Sequence, residues 1–311
     1  MDAAMMRQDI QARRDAVDMV KFSGSMLFCL LMVTQPALCR EWAGNALTDW
    51  ALHVVPALLP FLIALPQLAG QQAATVYRSL LGWAMQPFGL PGETAGVMVT
   101  GLLAGSPASA AALRMQAGGL DRKSSVRLAI LSAGAGPVFY MSFAARLAGS
   151  LQAGRMMYLC QVFSGMLTAW LMKMIYRPEK SLPALQTAWT ESADPVMGAV
   201  GQILHIGGCM ALFGILGQAA GLYLGEGARA PAMAVMEMSG GVRAISQMEM
   251  DEAWRLALMG GCCCFGGVSI LIQSLRHLKP AGVPTGPYVC ARVIHAALDM
   301  LLIRMWCFLM R

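Results

Sequence analysis

The chain has 311 residues, of which 57% are hydrophobic and only 13% charged, with a mean hydropathy of +0.56. Soluble domains carry about 25% charged residues, so this composition excludes a soluble globular domain. It predicts an all-α polytopic membrane protein, multi-pass in the cell membrane, with the lipid bilayer as its first partner. The formal charge of +6 is modest; it fits positive-inside anchoring and not nucleic-acid binding. Period-two alternation, which would signal a membrane β-barrel, is absent.

Residues 1–21 are polar, with Arg7, Arg13, Arg14 and Lys21, and predict a cytoplasmic N-terminal segment. Residues 22–177 form the first membrane half. The apolar run 22–39 reads as a retained helix, because bulky Leu38 spoils the site a signal peptidase would need. Residues 50–70 hold Pro56, Pro60 and Pro66. Three prolines in one uncharged run predict a kinked or re-entrant hairpin instead of a straight helix. Residues 71–87 suit an interfacial helix, and Leu90-Pro91-Gly92-Glu93 is a turn.

The uncharged run 94–113 is long enough to span a bilayer, which takes about 20 apolar residues. Yet Gly105-Ser106-Pro107 interrupts it. In hydrocarbon a broken helix survives only where protein or a water-filled cavity satisfies the freed backbone. Arg114, Arg122, Lys123 and Arg127 follow. The positive-inside rule then favours a hairpin turning at Gly105-Ser106-Pro107, which returns this basic loop to the cytoplasm. Gly134-Ala135-Gly136-Pro137 is a further break in the run 128–145. The run 156–172 ends at Lys173, Arg177 and Lys180, and residues 178–194 read as a linker.

Residues 195–311 form the second membrane half, with uncharged runs at 195–225 and 256–275 and a last apolar helix over 287–310. In all, seven to nine membrane segments are expected. The second half echoes the first: His53, Phe61 and Ile63 align with His205, Phe213 and Ile215 at one offset. Glu93 echoes Glu237, and Gly105 echoes Gly266 in Phe265-Gly266-Gly267. The common order predicts two inverted repeats with broken or re-entrant helices. Cys262-Cys263-Cys264 reads as small packing residues, since adjacent Cys are poor metal-ligand spacing. No GxSxG, HExxH or Walker A motif occurs, so the chain is not expected to be an enzyme, and no cofactor or metal is expected.

Several of these stretches resemble a known family. Val55-Pro56-Ala57-Leu58-Leu59-Pro60-Phe61, Pro91-Gly92-Glu93 and Gly101-Leu102-Leu103-Ala104-Gly105-Ser106-Pro107-Ala108-Ser109-Ala110 are similar to the first half of the YlbJ-like sporulation integral membrane proteins. Val235-Met236-Glu237-Met238-Ser239-Gly240-Gly241 and Phe265-Gly266-Gly267-Val268-Ser269-Ile270-Leu271-Ile272-Gln273 are similar to the second half. That family belongs to the nucleoside-recognition, or Gate, superfamily. The resemblance implies a paired-hairpin core, a part in spore formation, and recognition or transport of a small polar, nucleoside-like solute. One departure stands out. The family's Asn-rich stretch ending in Asn-Pro is replaced here by Ser132-Ala133-Gly134-Ala135-Gly136-Pro137, so the Pro remains and the amides are lost.

The candidate site residues follow from charge and polarity at membrane depth. Glu93 and Glu237 are the carboxylates nearest the breaks and could bind a coupling ion. Ser106, Ser109, Ser239, Ser269 and Gln273 offer hydroxyl and amide groups to a solute, beside half-helix N-termini. Arg292, His295 and Asp299 recur at helical spacing on the last helix and form either a coupling stripe or a structural one. The expected partners are a small polar solute and a coupling ion, with a second copy of the chain or a sporulation membrane protein as a further partner. Two other functions compete: a non-transporting scaffold for spore envelope assembly, and a membrane-embedded enzyme acting on a lipid intermediate.

Overall fold

The computed structural model describes residues 3–116, 120–175 and 194–310. Its elements are helical, and no strand occurs among the described residues. The chain divides into two compact units, 1–45 and 46–311. The first carries α1 (Ala3–Thr34), with α2 (Pro36–Asp49) beginning at the proline that stops α1 from continuing. The expected helix over 22–39 is therefore two helices.

In the second unit, a π-helical turn at Trp50–Val54 leads into α3 (Val55–Leu68) without a reversal. This corrects the expected re-entrant hairpin over residues 50–70. Pro56 lies at the start of α3, and the widened turn before it absorbs the missing donor; Pro60 and Pro66 are simply carried inside the helix. Trp50 Nε1 donates to the Ile203 carbonyl at 2.9 Å, and Gly207 leaves room for the indole: a Cβ there would come within 2.8 Å of it. That fixes α3 against α11 (Pro195–Leu224).

After α4 (Gln71–Met85) come two short helical pairs joined by a sharp break. α5 (Ala95–Ala104) and α6 (Ala108–Gln116) are 10 and 9 residues long, about 15 Å each and half a bilayer core. They double back: the Gln116 amide at the end of α6 lies 3.5 Å from where a Cβ on Gly96, near the start of α5, would sit. α12 (Glu226–Met236) and α13 (Met238–Ser246) do the same, with Gly241 against the Ala234 backbone. The end of α6, with Arg114 in its last turn, thus returns to the end from which α5 started.

Each hairpin is followed by an interrupted helix, then by a long straight one. In the first half these are α7 (Arg122–Leu131), α8 (Pro137–Phe139), a π-turn at Tyr140–Ala144, α9 (Ala145–Ala148) and α10 (Leu151–Ile175). In the second they are α14 (Glu252–Phe265), α15 (Gly267–Leu278) and α16 (Thr285–Leu309). α10 and α16 pack against each other, and α16 also lies along α14, where Gly260 and Gly261 admit Ile303 and Met300.

Three helical stretches among the described residues are long and apolar enough to cross a membrane: Pro36–Leu68, Pro195–Leu224 and Glu252–Leu278. The chain is therefore a helical protein of membrane type. That count is below the seven to nine segments expected, because the breaks cut several apolar runs into pieces too short to span alone. The linker at 178–194 lies outside the described residues except for Asp194, whose carboxylate caps α11 through Val196 N at 2.9 Å and Met197 N at 3.2 Å.

Candidate functional site

Four backbone breaks meet in the middle of the bundle. At the first, Gly105 has φ 73 and ψ −166, a conformation open to glycine almost alone. Ser106–Pro107 is cis. Ser106 N donates to the Gly134 carbonyl at 2.7 Å, and Gly134 N donates to Ser106 Oγ at 3.4 Å. Gly105 and Ala135 thereby form an antiparallel bridge between the hairpin tip and the broken helix.

Gln161, from α10, holds the other side of that second break. Its Oε1 accepts from Ala135 N at 2.9 Å and from the Tyr140 hydroxyl at 2.8 Å, and its Nε2 donates to the Ala135 carbonyl at 2.8 Å. One side chain thus satisfies both polar groups of a residue that has left its helix. The second half uses a different residue for this role. Arg292 of α16 donates to the Phe265 carbonyl at 2.7 Å, beside the left-handed Gly266.

At the remaining break Glu237 is extended and caps α13. Its Oε1 accepts from Ser239 N at 3.0 Å and its Oε2 from Gly240 N at 2.7 Å. Gly267 closes against this segment; a Cβ there would lie 2.9 Å from the Met236 carbonyl.

The breaks at Ser106-Pro107, Ala135-Gly136 and Glu237 border a cavity of about 580 Å³, counting its open mouth. Its polar lining is His53, Ser106, Glu237, Ser239 and Gln273; Leu58, Phe139, Met210 and Ile270 are among the apolar residues that complete it. Glu237 is 3% exposed, and no cation pairs with it among the described residues. Gln273 Nε2 donates to Ser269 Oγ at 3.1 Å, while its Oε1 has no partner among the described residues.

One charged cluster borders the cavity. Arg146 lies 3.0 Å from His53 Nε2, Arg243 pairs with Asp49, and both guanidinium groups lie over the Phe143 ring at 5.9 and 5.5 Å. The cluster ties together three separate stretches of chain: Asp49 with His53, Phe143 with Arg146, and Arg243.

The sequence-derived candidates thus fall into three places. Ser106, Glu237, Ser239 and Gln273 line the cavity. Ser109 and Ser269 are buried and outside its lining. Arg292, His295 and Asp299 are fully buried on α16, in a separate polar cluster. Glu93 lies elsewhere, in a 3-10 turn at Gly92–Thr94, 3.0 Å from Arg78 and about one-third exposed. The element order also pairs the breaks differently from the sequence echo. Glu237 stands at a hairpin tip, as Gly105-Ser106-Pro107 does, and Gly266 stands in an interrupted helix, as Gly134-Ala135-Gly136 does. Glu93→Gln should accordingly change stability by no more than about 1 kcal/mol, as expected of an exposed ion pair. Thermal unfolding in detergent measures this.

Sequence reasoning did not single out Gln161 or the Arg243–Asp49 pair, which hold segments beside the cavity. Gln161 sits in the uncharged run 156–172, and an amide at that depth needs partners for the same reason Gln273 does. The Arg243–Asp49 pair joins residues 194 positions apart, a separation no local pattern reveals. The Cys262–Cys264 cluster packs as thiols: Cys262 Sγ donates to the Met238 carbonyl at 3.6 Å.

Compared with family models, with curated proteins and with solved structures, the chain returns no match.

Proposed function

We propose that this chain binds a small polar solute in the Glu237 cavity and moves it across a membrane by alternating access. The observation that carries this reading is a buried carboxylate on a cavity bordered by three helix breaks. Interrupted helices at membrane depth are tolerated where they line a cavity, and polar sites of secondary transporters sit at such interruptions. The order hairpin, interrupted helix, long helix occurs twice. This supports two inverted repeats that rock about the shared cavity. The resemblance to YlbJ-like proteins and the Gate superfamily adds a context of spore formation and a nucleoside-like solute.

Reconstitution in proteoliposomes, with uptake of labelled nucleosides and other small polar solutes, tests this reading. Glu237→Gln preserves size, removes the charge and gives up one of the two cap bonds, since an amide nitrogen cannot accept from a backbone N–H. A hydrogen bond to a charged group contributes about 1.5–3 kcal/mol, so gradient-driven uptake should fall by about ten- to a hundredfold while the protein still elutes as a folded species. Full uptake by the variant would remove Glu237 from the mechanism. No uptake of any solute by the unsubstituted protein, with a sporulation defect on its deletion, would favour the scaffold reading.

A further inference from the structure

α16 carries a second polar site, separate from the cavity. Asp299 and His295 lie one turn apart on it and are both fully buried. His295 Nε2 lies 3.0 Å from the Gln161 carbonyl, an acceptor only, so this nitrogen carries the ring proton and Nδ1 is a bare lone pair. Nδ1 has no partner among the described residues, and neither Asp299 oxygen meets a donor in bonding geometry. The groups that face the carboxyl are the Ser164 hydroxyl and the Cys264 thiol, and the hydroxyl already donates to the Gln161 carbonyl at 3.0 Å.

The room around these groups is built by glycines. A Cβ on Gly260 of α14 would come within 2.6 Å of Asp299 Oδ2, and one on Gly165 of α10 within 3.4 Å of His295 Nε2. Two carboxyl oxygens and, one helical turn away, a ring nitrogen are therefore left without a hydrogen bond among the described residues. A buried, unsatisfied acceptor costs free energy until something donates to it. Three bare acceptors faced by a thiol and a hydroxyl suit a proton better than a metal cation, which needs a shell of oxygens.

We propose that Asp299 and His295 form a proton-binding site. One proton adds to an Asp299 oxygen, converting carboxylate to carboxylic acid, and the new O–H becomes the donor the cluster lacks. The other ionisable groups that face it are Arg292 of α16, Cys263 and Cys264 of α14, Cys160 of α10, and Tyr140 of the π-turn. α7 also packs on α16 but holds only uncharged residues from Leu128 to Leu131.

The site is wired to the cavity. His295 bonds the Gln161 carbonyl, the Gln161 side chain holds Ala135, and the Ala135 segment pairs with Gly105 and Ser106 at the cavity wall. The binding site stands on its own geometry. Its use as the coupling site rests on the transport reading above.

Infrared difference spectroscopy of the purified full chain across a pH titration tests the site without any solute. Aspartate labelled with ¹³C identifies the carboxyl in unsubstituted protein, so the test does not depend on a variant folding. The expected result is a carbonyl stretch of a protonated aspartic acid that shifts in heavy water and disappears as pH rises. It should be lost in Asp299→Asn, persist in Glu237→Gln, and titrate at a displaced pH in His295→Gln. The proposal is overturned if labelled protein shows no such band, if the band survives Asp299→Asn, or if it is unchanged over the whole pH range of the folded protein. It is overturned equally if sodium, at constant pH, removes the band. None of these outcomes bears on whether Glu237 binds a solute.

Discussion

Gly105→Ala should destabilise the folded protein by about 4 kcal/mol or more, combining a strained backbone with a backbone clash. Gly105 holds φ 73 and ψ −166, where an L side chain costs on the order of 1–3 kcal/mol before any contact is made. The added Cβ would then sit 2.6 Å from both the Gly134 carbonyl oxygen and Gly136 N. These are backbone atoms, so no rotamer change relieves the overlap. Moving them apart breaks the 2.7 Å bond from Ser106 N to Gly134, which joins the hairpin tip to the interrupted helix. Gly208→Ala is the matched control. It lies inside α11 with nothing within 4 Å of its Cβ position, and Ala should stabilise a helix interior there by up to about 1 kcal/mol. Thermal unfolding of the two variants in the same detergent should move in opposite directions. Equal midpoints would mean that the tip at Gly105 is not packed as described.

That tip was readable from the sequence because glycine and proline mark a break wherever they interrupt an uncharged run of spanning length. The same logic located Gly134-Ala135-Gly136 and Gly266-Gly267. It failed at Pro56, Pro60 and Pro66, where a π-turn and continued helical packing absorb the missing donors. A proline reports a lost hydrogen bond and not, by itself, a reversal of the chain. Glu237 shows the converse. No glycine or proline stands at that position, and the helix stops because a carboxylate caps the next one. A cap of this kind is visible only as Glu followed by Ser and Gly, a pattern common in ordinary turns. The basic residues after α6 predicted the reversal of α5 and α6 correctly, since charge placement reports which end of the bundle a loop reaches. The partition of polar groups between cavity and α16 cluster was not readable, because it depends on which helices face each other. Glu93 illustrates this: its sequence echo of Glu237 carries no information about Arg78, which claims it at the surface.

Gln161→Leu should cost about 3–9 kcal/mol, although Gln161 does not touch the cavity. Leucine fills a similar volume, so the loss is in hydrogen bonding and not in packing. Three buried groups lose their partner together: the Ala135 amide, the Ala135 carbonyl and the Tyr140 hydroxyl. Each orphaned group costs about 1–3 kcal/mol, and hydrocarbon surroundings offer no water to replace it. Gln161→Glu is the informative partner variant. It keeps an acceptor for Ala135 N and Tyr140, and protonated in place its O–H donates to the Ala135 carbonyl as the amide did, so it should be destabilised less than the leucine variant. Hydrogen exchange read by mass spectrometry should show peptides covering residues 132–140 losing protection in Gln161→Leu, with α11 unchanged. Loss spread evenly over the chain would indicate a general fold defect, and unchanged protection would show that the break is held by something else. Because the 132–136 segment pairs with Gly105 and Ser106, its loosening should also release one wall of the cavity, and uptake should fall together with local protection. A variant that loses protection at 132–140 yet keeps full uptake would separate that wall from the transport path.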